Sequence, residues 1–250
     1  MAVVSIMLRQ QQERVIRRIE RNGIIMSVID RKTASERRVA IAMTGDKNKT
    51  EMVIPADWVP GPRQGDWTYE MYAALPEDGQ RYEVVQGVLM MSPAPETAHQ
   101  GVIQRISHYL DEQNFSTERG LVFTSPVDVV LSSQQVVQPD VLVLLEEHLD
   151  RLQEKCIMGP PDLVVEVILP GSITYDRVVK HKLYEEAGVP EYWLVNLQEQ
   201  SLEVFVLEEG EYRSLGAFRE KQELQSRLIP HASVPAAQLF RWTGQLRMGK

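Results

Sequence analysis

The sequence predicts a mixed α/β (α+β) fold, in which one central mixed sheet is flanked by helices and preceded by a small β-rich appendage. Short apolar runs of strand length recur between residues 81 and 208. Two stretches with apolar residues at helical spacing, 99–114 and 176–188, alternate with these runs. With 43% hydrophobic and 25% charged residues, the composition is that of a globular protein with a sizeable core.

Residues 1–65 are predicted to be a separate N-terminal extension, and residues 66–250 the main domain. Within the extension, residues 8–22 have the apolar spacing of a helix, and Gly23 is suited to end it. Three β-like runs follow, at 24–30, 37–43 and 51–55. Residues 59–66 contain two prolines and two glycines, which is typical of a linker.

The main domain begins with a short predicted helix that Thr68 caps and Pro76 ends. The segment 81–93 then has the apolar pattern of two strands around a turn at Gln86-Gly87. This pattern indicates a β-hairpin, which the next predicted helix follows.

Strands dominate the rest of the main domain. After the first long helix, apolar runs predict three of them, at 121–132, 136–145 and 162–169. Pro126 interrupts the first run. The run at 162–169 is apolar on both faces except at Glu166, which is typical of a strand in the middle of a covered sheet. Gly188 is suited to end the helix at 176–188. Further strands are expected at 191–196, 201–208 and 211–218.

Two acidic residues, Asp140 and Glu166, stand where apolar residues are expected. Because burying an unpaired carboxylate costs several kcal/mol, such a group is usually paired, hydrogen-bonded or bound to a metal. Pro139 cannot donate to a sheet ladder, so we expect a strand to begin or bulge there, with Asp140 aimed from its edge into a cleft. The alternative for both acids is a structural salt bridge or exposure at a strand end.

A magnesium site is one chemistry that these acids fit. Mg²⁺ prefers oxygen ligands, and one or two carboxylates with water and substrate phosphate suffice to hold it. Lys180 follows Asp176 by one helical turn, on the helix directly after the Glu166 strand. A lysine there would stabilise phosphate charge or help to activate water, whereas Lys182 points about 200° away around the helix. The alternative for Lys180 is a solvated surface lysine.

Three further side chains near the predicted site have less specific patterns. His99 opens the helix at 99–114, where it either caps the helix or supports the site as a phosphate contact or a partner of a ligand. Tyr184, one turn after Lys180, either packs in the core or supports the site. Asp176 is expected to be an acid at the start of its helix rather than a metal ligand.

Five segments in the main domain follow one another in a distinctive order. They are RYEVVQG, His99 at the start of a helix, QPD, PDLVVEV, and the run D-x3-K-x3-Y-x3-GVPEYWLV. In this order they resemble a bacterial family, the Uma-type restriction endonucleases of the PD-(D/E)xK superfamily. The resemblance covers roughly residues 66–240. Its specific part is 161–195, where several motifs occur at close spacing, and residues 1–65 lie outside it.

This resemblance implies a restriction-endonuclease-like core and Mg²⁺-dependent hydrolysis of phosphodiester bonds in DNA, with Mn²⁺ as an alternative ion. Asp140 and Glu166 match the metal-binding acids of the family's first two motifs. The superfamily's lysine lies two residues after the second acid, where this chain has Ile168. Lys180 matches the lysine that the Uma-type family offers from the following helix. Glu83 matches the family's early acid and is expected as a further metal or water ligand.

Two positions depart from the family pattern. The family's Ser-Pro pair is Leu169-Pro170 here, so a hydroxyl that helps to position groups at the site is lost. Gln86 stands where the family often has an aspartate before the hairpin glycine. Together with the acidic charge of the main domain, Leu169 motivates a second hypothesis. In it, the chain is a catalytically degenerate nuclease fold that binds nucleic acid or a protein partner.

Charge and cysteine content limit the classes of protein and site. The net charge is −8, with 12 Lys+Arg against 7 Asp+Glu in residues 1–65 and 15 against 28 in residues 66–250. This acidic main domain argues against strong nonspecific DNA binding, although bound metal ions would offset carboxylates locally. The single cysteine, Cys156, excludes an internal disulfide and a thiolate zinc site.

The chain is expected to be cytoplasmic. No apolar run approaches the ~20 residues that span a bilayer, and the first residues lack the pattern of a signal peptide. A homodimer is a reasonable assembly, since two copies are suited to cutting two DNA strands.

Overall fold

The computed structural model describes residues 53–115, 119–169, 172–229 and 235–240. The helix predicted at 8–22 and the strands predicted at 24–30 and 37–43 lie outside these residues. The described part of the predicted extension includes a two-residue strand, β1 (Ile54–Pro55), which pairs with the hairpin.

The next part of the described chain consists of a short helix, a hairpin, a long helix and a series of short strands. In chain order these elements are α1 (Tyr69–Ala73), β2 (Arg81–Val85), β3 (Val88–Ser92), α2 (Thr97–Phe115), β4 (Gly120–Thr124), β5 (Asp128–Ser132), β6 (Gln135–Val137) and β7 (Val141–Leu145).

The last part contains the longest strands. Its elements are a 3₁₀ helix (Glu146–Arg151), β8 (Cys156–Met158), β9 (Leu163–Ile168), a π-helical segment (Tyr175–Lys180), α3 (His181–Ala187), β10 (Glu191–Asn196), β11 (Ser201–Glu208), β12 (Glu211–Arg219) and α4 (Ala236–Leu239). The predicted mixed α/β class is confirmed, and the hairpin, the long helix and the apolar strand at 162–169 occur where they were predicted.

The strands of the described residues form two mixed sheets rather than the single sheet that the sequence predicted. One sheet has the order β1-β3-β2-β6-β5-β8, and the other has the order β12-β11-β10-β9-β7-β4. Each sheet is antiparallel except for one parallel pair, β5 with β8 in the first and β9 with β10 in the second. The apolar strand β9 lies in the middle of its sheet, as predicted.

Two of the places where the chain passes from one sheet to the other lie at prolines. The strand predicted at 121–132 divides at Pro126 into β4 of the second sheet and β5 of the first. The strand predicted at 136–145 divides at Pro139 into β6 of the first sheet and β7 of the second. Because a proline cannot donate a hydrogen bond to a sheet ladder, each strand stops pairing at the proline, and the chain continues as a strand of the other sheet. The second crossing places Asp140 directly between the sheets.

The central strand β9 has a helix on each face, and every one of its residues is buried. Val165 belongs to the same apolar cluster as Ile106 of α2. Val164 belongs to a different cluster, which includes Tyr184 of α3. Since side chains alternate between the faces of a strand, Glu166 lies on the α3 face with Val164.

The helix predicted at 176–188 has an irregular start. Its first part, Tyr175–Lys180, is π-helical, and only the following seven residues form the α-helix α3. Gly188 ends it in the left-handed region with φ 81°, as predicted. Wide π-type turns are frequent at functional sites, and this one contains Asp176 and Lys180. Among the described helices, none combines the length and apolar composition needed to cross a membrane.

Two hairpins have the same two-residue turn but different surroundings. Gln86 and Gly87 join β2 to β3 with φ values of 52° and 73°, and Glu209 and Gly210 join β11 to β12 with 53° and 84°. Both pairs fit the type I′ turn, which favours glycine at its second position. A Cβ at Gly87 would meet the carbonyl oxygen of Gly65 at 2.3 Å, whereas a Cβ at Gly210 would meet nothing within 4 Å.

Alanine at these two glycines should therefore destabilise the protein to different extents. Gly210→Ala adds only backbone strain, and we expect it to lower the free energy of unfolding by about 1 kcal/mol. Gly87→Ala adds a clash with the backbone, and we expect at least about 2 kcal/mol more. Urea denaturation of both variants measures the difference. Equal losses would show that the chain from Gly65 moves away without cost.

Candidate functional site

A cleft lies where the end of β9 meets the π-helical segment, the hairpin and the start of α2. The charged side chains that line it among the described residues are Asp140, Glu166, Asp176, Arg81, His99 and Lys180. All of them except Arg81 are buried. The structure thus brings Asp140, Glu166 and Lys180 into one cleft, and His99 lies in the same cleft.

Asp140 immediately precedes β7 and is held from two sides. Its Oδ2 atom accepts a hydrogen bond from the backbone N–H of Val167 at 2.8 Å and lies 3.1 Å from Nε2 of His99. Burial alone would raise the pKa of Asp140. The His99 contact, the charge of Arg81 and the Val167 N–H outweigh it and hold the pKa below its usual value. Asp140 is therefore a fixed, ionised carboxylate.

Glu166 and Lys180 form a buried ion pair between β9 and the following helix. The Lys180 Nζ atom lies 2.8 Å from Oε1 of Glu166, and the hydroxyl of Tyr184 donates to the same oxygen at 2.7 Å. Burial and the neighbouring carboxylates raise the pKa of Glu166 to about 8, although Lys180 acts to lower it. Glu166 and Glu83 raise the pKa of Lys180 despite its burial, so the lysine stays charged.

Glu83 lies on β2 against Lys180 and makes contacts through both of its carboxylate oxygens. Its Oε1 atom accepts from the backbone N–H of Gln138 at 2.8 Å and lies 2.9 Å from Lys180 Nζ. Its Oε2 atom accepts from the hydroxyl of Tyr175 at 3.1 Å. Asp140, Glu166, Lys180 and His99 line the cleft, whereas Glu83, like Tyr184, is not among the described residues that line it. Its contacts hold Lys180 in place.

Asp176 is a member of the cleft that the sequence placed only at a helix start. It is buried, and its Oδ2 atom accepts from the hydroxyl of Ser172 at 2.5 Å. Burial raises the pKa of Asp176 to about 6, against the opposing effects of Lys180 and Ser172. The four-residue spacing from Lys180 was the signal that could have identified it. Ser172 and Arg81 had no such signal and were missed.

The donor chemistry of the cleft fits a divalent cation. Within the described ranges, no group of three or more His, Cys, Asp or Glu side chains is arranged to hold a metal ion. The lysine ammonium occupies the space beside Glu166 instead. Three carboxylates line the cleft, and burial, together with their mutual repulsion, raises the pKa values of Glu166 and Asp176. Hard oxygen donors in such a field are the ligands that Mg²⁺ and Mn²⁺ prefer.

Comparison with known proteins identifies a matching family and a similar solved structure. A family model described as "Uma2: Putative restriction endonuclease" matches residues 69–237. A solved structure, "a putative nuclease belonging to DUF820" from Anabaena variabilis, has a similar fold with a TM-score of 0.60 and 16% sequence identity. The similarity covers 70% of this chain and 98% of that one. Among curated proteins, none matches the sequence.

The raised pKa values predict that the metal-free protein loses stability as the pH rises from 5 to 8. An acid whose pKa is higher in the folded state contributes stability at low pH, and that stability is lost as the pH rises through the folded pKa. Glu166 and Asp176 act in this window, whereas Asp140, with its lowered pKa, acts below it. We expect a loss on the order of 1–3 kcal/mol in denaturation experiments across this range.

The variant Glu166→Gln should flatten this dependence, because glutamine is neutral at every pH. Glu154→Gln is the matched control, since Glu154 is exposed and is not among the residues that line the cleft. The same slope in wild type and Glu166→Gln would show that Glu166 does not hold its proton in the folded state.

Proposed function

We propose that this chain, which belongs to the Uma2 family, is an endonuclease that hydrolyses phosphodiester bonds in DNA with the help of a divalent metal ion. The family match confirms the resemblance of the sequence to Uma-type restriction endonucleases. The fold shared with a nuclease structure agrees with a restriction-endonuclease-like core.

The observation that supports it most directly is the contact between Glu166 and Lys180. In the superfamily the acid and the lysine share a strand, and in this chain the strand position is Ile168, which belongs to an apolar cluster. Lys180 nevertheless reaches Glu166 from the following helix, with 2.8 Å between Nζ and Oε1. The cleft thereby combines an acid pair with a charged lysine, without a lysine on the strand.

In this proposal, Asp140 and Glu166 hold the metal ion, which is Mg²⁺ or Mn²⁺. When bound, such an ion stabilises the negative charge that develops on the phosphate and lowers the pKa of water. His99 and the Val167 N–H keep Asp140 oriented and ionised. The Tyr184 hydroxyl orients Glu166 in the same way. These contacts fix the carboxylates before substrate arrives, which lowers the cost of assembling the site.

Lys180 supplies the positive charge in this proposal. Its ammonium group is charged and fixed by Glu83 and Glu166, so it is suited to donate a hydrogen bond to a phosphate oxygen or to orient an attacking water. Glu83 then acts by positioning Lys180. Both carboxylate oxygens of Glu83 are engaged, by Lys180, Tyr175 and the Gln138 backbone. A metal role for Glu83, as expected from the sequence, stays a prediction.

Cleavage of supercoiled plasmid DNA tests the function. We expect Mg²⁺-dependent nicking by the wild type, and a loss of about 100-fold or more in Asp140→Asn and Lys180→Met. Lys182→Met is the matched control, since Lys182 lies on the same helix and is exposed. The proposal would be contradicted if the wild type cut DNA as fast in EDTA as in Mg²⁺, or if Asp140→Asn cut as fast as the wild type. DNA binding without any cleavage would favour the degenerate binding module.

Calorimetric titration with Mg²⁺ separates the two roles of Glu83. If Glu83 positions Lys180, Glu83→Gln should keep its Mg²⁺ affinity while kcat falls, and Asp140→Asn should lose Mg²⁺ affinity. A matching loss of Mg²⁺ affinity in both variants would instead make Glu83 a ligand.

A further inference from the structure

The cleft contains a second fixed cation, Arg81, that the proposed mechanism does not use. Arg81 is the first residue of β2, is half-buried and lines the cleft beside Asp140. Its Nη2 atom donates to the backbone carbonyl of Gln138 at 3.1 Å, and its Nε atom donates to the side-chain Oε1 of the same residue at 3.4 Å. One residue therefore fixes the guanidinium from two directions.

Both acceptors of Arg81 are neutral. Three carboxylates line the same cleft, yet in the part of the chain that the structure describes no acid lies within 4.0 Å of the Arg81 guanidinium. Lys180, by contrast, has Glu83 and Glu166 at 2.9 and 2.8 Å. Of these two cations, Arg81 is therefore the one without an acid partner among the described residues.

Gln138, which holds Arg81, is itself held rigidly. Its Nε2 atom donates to Oδ1 of Asp128 at 2.9 Å and to the hydroxyl of Tyr72 at 3.2 Å, and that hydroxyl donates to Asp128 at 2.7 Å. Its backbone N–H donates to Glu83. The network connects the position of Arg81 to the glutamate that fixes Lys180, so both cations have set places in the site.

We propose that Arg81 binds the non-bridging oxygens of a substrate phosphate in the cleft, an inference that rests on the proposed nuclease function. A guanidinium presents N–H donors in a planar fork that matches two phosphate oxygens, which a point charge such as an ammonium does not. The neutral acceptors at Gln138 orient the fork without neutralising it. The competing role is purely electrostatic: the charge of Arg81 favours ionised Asp140.

Two substitutions at Arg81 separate these roles. Arg81→Gln removes charge and fork, and Arg81→Lys keeps the charge without the fork. Cleavage kinetics give KM and kcat, and fluorescence anisotropy with a labelled DNA duplex gives Kd at several salt concentrations. We expect Arg81→Gln to raise Kd and KM by about 10- to 100-fold and to lower the slope of log affinity against log salt by about one. Arg81→Lys should restore the slope but only part of the affinity.

Two further variants complete the design. Tyr72→Phe removes a hydroxyl that supports Gln138 without changing any charge, and it should weaken DNA binding by a smaller factor with an unchanged salt slope. Arg213→Gln is the control. Arg213 is exposed, pairs with Glu208, and by strand register lies level with Leu163, at the end of the sheet away from the cleft. It should leave Kd, KM and slope unchanged.

Each outcome decides the inference. Wild-type Kd, KM and salt slope in Arg81→Gln would overturn it. So would an unchanged Kd and KM with a shift of the acidic limb of the pH profile, since Arg81 would then only keep Asp140 ionised. If the wild type binds DNA without cutting it, the anisotropy still tests Arg81 while the nuclease function fails. If the wild type neither binds nor cuts, both fail together.

Discussion

A lysine buried between two carboxylates holds this site together. Glu83 lies on β2 of the first sheet and Glu166 on β9 of the second. Lys180 reaches both from the π-helical segment that follows β9. Taking these three polar groups out of water is costly, and their close contacts, the Gln138 N–H and the hydroxyls of Tyr175 and Tyr184 offset that cost. Removing any one charge leaves the others uncompensated. The packing of both sheets and the helix against one another therefore depends on the same contacts that form the cleft.

The crossing at Pro139 explains why the polar groups gather at this point. At a crossing the backbone leaves one ladder before entering the next, and its polar atoms need other partners. Gln138 donates its N–H to Glu83 and offers its carbonyl to Arg81. Asp140, two residues later, faces His99 and the backbone of β9. The connection between the sheets thus positions both an anionic and a cationic side of the cleft.

The sequence predicted the parts of this site that follow from local pattern. Glu166 was recognisable because it interrupts an apolar strand, and Asp140 because it follows a proline within another. The division into two sheets was not predictable, since Pro126 and Pro139 mark an interruption but not where the chain goes next. Membership of Arg81 in the cleft depends on a partner 57 residues away. Such contacts have no periodicity that a single sequence displays.

The placement of the lysine on a helix rather than on the strand has a consequence for how such proteins diverge. When acid and lysine share a strand, their separation is set by covalent geometry and survives most changes around them. Here they are 14 residues apart, and the packing of helix on sheet sets their distance. A substitution that shifts the helix would abolish the proposed chemistry while both residues remain in the sequence. In relatives that share this arrangement, the presence of both residues is therefore weaker evidence of activity than it is in nucleases whose lysine lies on the strand.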